Sequence, residues 1–253
     1  RPERGDTVII TPEPEDGCEV AEVIITAQNG DGVEVTQNED GTWSFVQPAG
    51  TVKIQVTFRE IPPSPVILPF VDVSLRAWYY DAVEYVYREG MMAGTSNEQF
   101  SPDITTSRAM LATILYRLDG QPVVGTPSFS DVPTGQWYTS PAVWAADSGI
   151  AGGYGNGIFG PNDPVTREQM AVMLYRYAQY KGYDTTISSN NDLEQYSDAN
   201  LVSAWAQTAM LWAYQNGLIT GSSATTLDPL DDASRAEVAT TLMKFMKNIV
   251  QYP

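Results

Sequence analysis

Three stretches of this chain carry the same residues at the same offsets. Phe70-Val71-Asp72-Val73, Phe129-Ser130-Asp131-Val132 and Tyr196-Ser197-Asp198-Ala199 each lead to a tryptophan: Trp78, Trp137 and Trp205. Tyr85, Trp144 or Trp212 then stands five residues before Gly90, Gly149 or Gly217, and a second glycine (Gly94, Gly153, Gly221) follows four further on. Next come Phe100-x-Pro102, Phe159-x-Pro161 and Leu227-x-Pro229, and six residues past each proline an arginine: Arg108, Arg167 and Arg235. The spacing between copies is 59 and then 67–68 residues. A repeat of this kind means one supersecondary unit used three times, with each copy burying its apolar face against the next.

The local signals make each copy a helix, a glycine-rich loop and a second helix. Gly90, Gly149 and Gly217 stand where a helix C-cap is wanted. Ser107, Thr166 and Ser234 precede the second helices as N-caps. Thr166-x-x-Gln169 and Ser234-x-x-Glu237 are capping boxes, while Met110 breaks the box of the first copy. Met110, Leu111, Ile114, Leu115 and Leu118 form one apolar stripe at helical spacing. Met170, Met173, Leu174 and Tyr177 form a second, and Val238, Leu242, Phe245 and Ile249 a third.

Residues 1–60 have a different period. Thr7–Thr11, Val20–Ala27, Val33–Thr36, Thr42–Val46 and Val52–Phe58 alternate in polarity, are rich in Val, Ile and Thr, and are separated by turn residues; Asp40-Gly41 marks a hairpin. A small sandwich-like β segment is expected here. Ile61-Pro62-Pro63-Ser64-Pro65 suits neither period and predicts an extended linker over 61–65. The expected organisation is all-β over 1–60 and all-α over 66–253, with repeats at about 66–124, 125–187 and 188–253. The chain starts on Arg without a leader, so it reads as a piece or a processed product of something longer.

Composition removes whole classes of function. There is no His among the 253 residues, so no Ser-His-Asp system and no His-bearing metal site is available. One cysteine, Cys18, makes neither a disulfide nor a cysteine metal cluster; no metal and no cofactor is expected. With 31 acidic against 14 basic residues, net charge −17, nucleic acid and anionic membrane are excluded as partners. No apolar run approaches the ~18 residues that suggest a membrane span, so no membrane insertion is expected. Gly155-x-Gly157-x-x-Gly160 matches a dinucleotide fingerprint by letter only, because it follows no strand and runs into Pro161.

Together, the Phe-Ser-Asp-Val, Trp, Gly-Ile-x-x-Gly-Tyr, Phe-x-Pro and Thr-Arg-Glu-Gln elements of the middle copy resemble the S-layer homology (SLH) module. The resemblance covers about 66–250. It implies that the three modules fold into one pseudo-threefold helical domain, a monomeric pseudo-trimer, which attaches exported proteins non-covalently to the wall of Gram-positive bacteria. The implied ligand is a secondary cell-wall polysaccharide, commonly bearing a pyruvate ketal, and the implied location is extracellular, at the cell surface. Residues 1–60 look like part of a bacterial surface all-β repeat.

The candidate ligand-binding residues are Arg108, Arg167 and Arg235; Trp78, Trp137 and Trp205; Asp72, Asp131 and Asp198; Gly94, Gly153 and Gly221; and Tyr154. A cation in the first helical turn faces the positive end of the helix dipole, which is unfavourable by a few tenths of a kcal/mol up to ~1. Finding one in all three copies asks for a partner: an internal aspartate, or an external carboxylate or phosphate held by a bidentate guanidinium beside a helix N-terminus. The tryptophans suit either a core position or a sugar face, and the second glycines either unusual dihedrals or close backbone approach. The middle copy keeps the family pattern best, so the groove around Arg167 is expected to be the competent one. The reading is of a non-catalytic anchor. Two alternatives stand beside it, a carboxylate-based glycoside hydrolase acting on wall glycan and an open helical repeat that binds protein.

Overall fold

In a computed structural model the chain divides into two compact units, Arg1–Pro65 and Val66–Pro253. The structure describes residues 2–15, 18–60, 67–189 and 192–250, and the expected linker 61–65 lies outside them.

The first unit holds strands β1 (Thr7–Ile10), β2 (Cys18–Ala27), β3 (Gly32–Val33), β4 (Val35–Gln37), β5 (Trp43–Val46) and β6 (Val52–Glu60). They form two antiparallel sheets, ordered β1-β5-β4 and β3-β2-β6. The segment read as one strand over Val33–Thr36 is in fact divided at Glu34. Val33 pairs with Ile25 in one sheet, and Val35 pairs with Phe45 in the other. A strand that changes sheets joins the two layers covalently, as at the corner of a sandwich. Phe45 from one layer and Val23 and Ile25 from the other are buried together, packed round by Val8, Val20, Trp43 and Val56. Ile24, between them on β2, points outward, which is the period-2 alternation expected of a strand with one buried face.

The second unit holds α1 (Tyr80–Arg88), α2 (Arg108–Leu118), α3 (Thr139–Asp147), α4 (Arg167–Lys181), α5 (Gln207–Gln215) and α6 (Arg235–Phe245). Among the described residues none is long and apolar enough to cross a membrane. Ser107, Thr166 and Ser234 cap α2, α4 and α6, with complete capping boxes at the last two. Gly90, Gly149 and Gly217 end α1, α3 and α5 with φ of 66°, 74° and 67°, a left-handed conformation that costs glycine nothing.

The extensive helix contacts join copies rather than the two helices of one copy. α2 packs on α3, α4 on α5, and α6 returns to α1. The backbone follows the same circuit. Thr106 N–H donates to the Ala233 carbonyl at 2.9 Å, Ala233 N–H to Val165 at 2.8 Å, and Val165 N–H to Thr106 at 2.8 Å, so three residues close a ring of hydrogen bonds. One core runs through all three copies, with Phe100, Leu115, Phe159, Leu174, Trp212 and Phe245 fully buried. Each such side chain contributes ~1.5–3 kcal/mol relative to exposure.

Candidate functional site

Each second helix begins against the Phe-x-Pro loop of the next copy. The N–H groups of Arg108, Arg167 and Arg235 donate to Asp163, Asp231 and Ile104, and those one residue later to Pro161, Pro229 and Pro102. First-turn donors that have no partner inside their own helix are thereby satisfied from outside. The arginines lie along the same seam, each residue 5–7% exposed. Nε of Arg108, Arg167 and Arg235 donates to the carbonyls of Phe159 (3.1 Å), Leu227 (3.1 Å) and Phe100 (2.8 Å). Nη2 reaches Gly152 (2.8 Å), Thr220 (2.7 Å) and Ala93 (2.6 Å). Carbonyl dipoles of the neighbouring copy thus supply the partner that a first-turn cation needs.

Asp72, Asp131 and Asp198 attract Arg235, Arg108 and Arg167 from a distance but make no direct ion pair with them. Asp72 instead accepts from the N–H groups of Phe100 (2.9 Å) and Ser101 (2.7 Å), Asp131 from Phe159 (2.9 Å) and Gly160 (2.7 Å), and Asp198 from Leu227 and Asp228 (both 2.8 Å). Each carboxylate clamps its own Phe-x-Pro loop, whose middle residue is left-handed: Ser101, Gly160 and Asp228 have φ of 58°, 72° and 49°. Burial pushes the Asp131 and Asp198 carboxyls up, but the backbone donors outweigh it and hold both below the usual carboxylate value. Gly94, Gly153 and Gly221 serve close approach rather than unusual dihedrals. A Cβ there would meet the ring of Phe70, Phe129 or Tyr196, or the loop's own carbonyls, closer than 3.0 Å.

Trp78, Trp137 and Trp205 are not core residues; they are 67%, 57% and 56% exposed. Trp144 and Trp212 are buried, and Tyr85 is half-buried. The exposed indoles border three grooves, each assembled from all three copies. The first holds Arg108, the Gly152-Gly153-Tyr154 loop, the α4 face and Trp205, with a volume of about 300 Å³. The second holds Arg167, the Thr220-Gly221 loop, the α6 face and Trp78, about 660 Å³. The third holds Arg235, Ala93, the α2 face and Trp137, about 100 Å³. Tyr154 lies over one face of the Arg108 guanidinium, 4.5 Å from Cζ to the ring centroid, a cation–π stack that leaves the guanidinium edge to other partners.

Three further groove residues escaped the sequence reading. Arg176, Lys244 and Arg117 stand on the facing helices of the first, second and third grooves. Each lies nine residues after an arginine of the repeat, so the constant offset was there to be found. Each groove therefore carries two cations in a strongly acidic protein. Burial pulls Arg108, Arg235 and Lys244 below their ordinary values, the cost of holding positive charge in a partly dry cleft. The grooves also differ in charge. Arg167 Nη1 is ion-paired to Glu237 at 2.7 Å, whereas the residues in the equivalent position are Gln169 beside Arg108 and Met110 beside Arg235. Among the described residues no His, Cys, Asp and Glu side chains group as metal ligands.

Several known proteins share sequence with this chain. The chain is 31% identical to an endoglucanase of Bacillus sp. (strain KSM-635) over 181 residues, 69% of this chain and 19% of that protein. It is 30% identical to the surface-layer 125 kDa protein of Lysinibacillus sphaericus over 176 residues, 68% of this chain and 14% of that one. With exoglucanase XynX of Acetivibrio thermocellus it shares 29% over 194 residues, 76% of this chain and 16% of the relative. The chain thus spans less than a fifth of each relative's length. Among solved structures, an undecaheme cytochrome from the S-layer of Carboxydothermus ferrireducens aligns at TM-score 0.31 and 20% identity, over 57% of this chain and 22% of that chain, too loose a likeness to bear on the fold. The S-layer homology domain model matches residues 69–109, 128–171 and 195–239, together more than half of the chain. The chain therefore belongs to the S-layer homology family, whose modules anchor surface proteins to the cell wall.

Proposed function

We propose that residues 66–253 form a pseudo-threefold, non-catalytic anchor that binds an anionic secondary cell-wall polysaccharide in the grooves between its three modules. The pyruvate ketal is the favoured anionic group, because it presents one carboxylate on a compact sugar ring. The observation that carries this reading is the make-up of the grooves: two cations from facing elements and one exposed indole round each cleft. Paired cations hold a carboxylate and an indole face packs on sugar C–H groups. The closed circuit of inter-copy hydrogen bonds supports the threefold arrangement and weighs against an open helical repeat.

Fidelity to the family pattern favours the Arg167 groove, but its internal ion pair argues for another order. The Arg108 groove, with Arg176, Tyr154 and uncharged Gln169, is the best carboxylate receptor. Residues 1–60 serve as a spacer, and the protein so anchored is a surface-layer subunit or an exported enzyme, as the relatives' names illustrate.

Calorimetry of the 253-residue chain against purified wall polymer, with and without mild-acid removal of ketals, tests the proposal. Binding that disappears with the ketal supports it. Equal binding to both polymers would reject carboxylate recognition in favour of the indole faces. Arg176→Gln is the variant of choice, because Arg108 also holds the inter-module seam.

A further inference from the structure

The third copy is longer than the other two, and the excess is not spread evenly. Phe129 stands 21 residues after Arg108, whereas Tyr196 stands 29 after Arg167. Part of the difference lengthens the second helix, since α4 has 15 residues against 11 in α2. The rest enlarges the segment that leads from α4 into the third copy. One further residue lies between Asp198 and Trp205, where the chain makes a short 3-10 turn, Ala199–Leu201. Both additions border one cleft of about 580 Å³ beside α5, which shares no lining residue with the three grooves. We propose that this cleft is a second carbohydrate site, for an uncharged, N-acetylated stretch of wall glycan. The inference extends the anchoring function proposed above and rests on it.

The walls of the cleft are fixed. The enlarged segment is tied to the end of α5 by Gln215, whose amide donates to the Ser189 carbonyl (2.7 Å) and the Asp192 carboxylate (2.6 Å) and accepts from Ser188 N–H (2.9 Å). Gln195 adds a bond to the Tyr214 hydroxyl at 2.7 Å. At the position of Gln215, two before the helix-ending glycine, the other copies have Arg88 and Asp147. Arg88 pairs with Glu84, and Glu84 is the counterpart of Leu211 in the cleft. The third copy has thus exchanged an ion-paired helix face for an amide tie and an apolar floor.

Leu193, Tyr196, Val202 and Leu211 supply that apolar surface, the last two buried. Glu194, Asn200, Gln207 and Thr208 are exposed around it, and among the described residues their side chains have no hydrogen-bond or ionic partner. Two amides, a hydroxyl and a carboxylate offer donors and acceptors together, the complement of sugar hydroxyls and of an acetamido group, whose methyl suits the apolar floor. The cleft has one negative charge and no cation, the reverse of the grooves. In a chain of net charge −17 it repels a ketal or a phosphate and accepts an uncharged sugar. Its volume lies within the range of small-ligand sites and has room for a short piece of glycan. Affinity without an opposite charge is expected on the order of millimolar, too weak to register in calorimetry with the polymer. The cleft adds to the grip because the grooves hold the glycan near it.

The test follows the backbone amide signals of Asn200 and Thr208 in the full chain by NMR, with the indole signals of Trp78, Trp137 and Trp205 reporting on the grooves. The probes are tri-N-acetylchitotriose, wall polymer stripped of its ketals, a methyl N-acetylhexosaminide carrying a 4,6-pyruvate ketal, and the peptide acetyl-Leu-Lys amide. At least one of the two uncharged glycans should move the cleft amides, and the ketal sugar should leave them still. A response to chitotriose names β-1,4-linked N-acetylglucosamine strands as the source, and a response to stripped polymer alone names the polymer itself. Asn200 and Gln207 are exposed, so Asn200→Ala combined with Gln207→Ala keeps the fold, which the amide spectrum verifies. Affinity for the glycan should fall by about tenfold or more, the scale of two neutral hydrogen bonds. The site is overturned if neither uncharged glycan moves the cleft amides, or if the double variant binds as the parent does. It is also overturned if the peptide moves them and the glycans do not, which makes the cleft a peptide site. All three outcomes leave the grooves and their anchoring role intact. Indoles that stay silent towards the ketal sugar would count against the groove reading alone.

Discussion

The β unit and the helical unit solve the same burial problem by different routes. In the β unit a small core of Val23, Ile25 and Phe45 sits between two short sheets. The helical unit has one cluster running through three copies, locked by arginine hydrogen bonds between residues 44 to 142 positions apart. The first buries its core between two layers of its own. In the second no copy is a domain: its helices pair with helices of its neighbours, and its helix starts are capped by a neighbour's loop. Repetition in sequence here marks parts of one object, not a row of similar objects.

The sharpest way to break that contrast is to cut into the shared core. Phe245→Ala should cost the helical unit about 3–5 kcal/mol and lower the melting of all three copies together, with the β transition unmoved in calorimetry. A helical transition that split into separate steps would mean the copies are independent after all. Ile25→Ala is the converse and should cost about 2–5 kcal/mol, confined to the β unit.

Asp131→Asn asks whether the loop clamps matter. The charge goes and one of the two acceptor oxygens becomes an NH2 facing a backbone N–H, so stability should fall by about 1–3 kcal/mol at pH 7 in denaturant titration. Because the folded carboxyl is held below its unfolded value of about 3.9, its contribution is full above that pH and fades as pH drops through the folded value. The gap between variant and parent should therefore narrow on acidification below about pH 4. A gap that stays constant with pH would remove the carboxylate from the account.

The smallest structural effect is expected of Trp205→Ala, within about 0.5 kcal/mol of parent stability because the indole is exposed. Its wall-polymer affinity should nevertheless drop in a calorimetric titration. Loss of stability without loss of binding would return Trp205 to a packing role.

Local chemistry was legible in the sequence, and long-range closure was not. The caps at Ser107, Thr166 and Ser234 and the glycine helix ends followed from spacing alone, because their partners lie within four residues. That the arginines asked for a partner was also readable. Its identity was not: the acceptors are main-chain carbonyls on a neighbouring copy, and every residue type offers a carbonyl. The break at Glu34 escaped notice because Val33, Val35 and their neighbours alternate as a single strand would, and only the partner strands show the change of sheet. The cations Arg117, Arg176 and Lys244 were hidden by their ordinary look, basic residues on a helix with no local oddity to mark them.

The ring of hydrogen bonds through Thr106, Val165 and Ala233 has a consequence for valency. Every groove takes its arginine from one copy, its loop and facing helix from the next, and its indole from the third. Losing one copy therefore does not leave two grooves; it leaves none. Whatever the grooves hold, the proposed anchor is counted in whole rings.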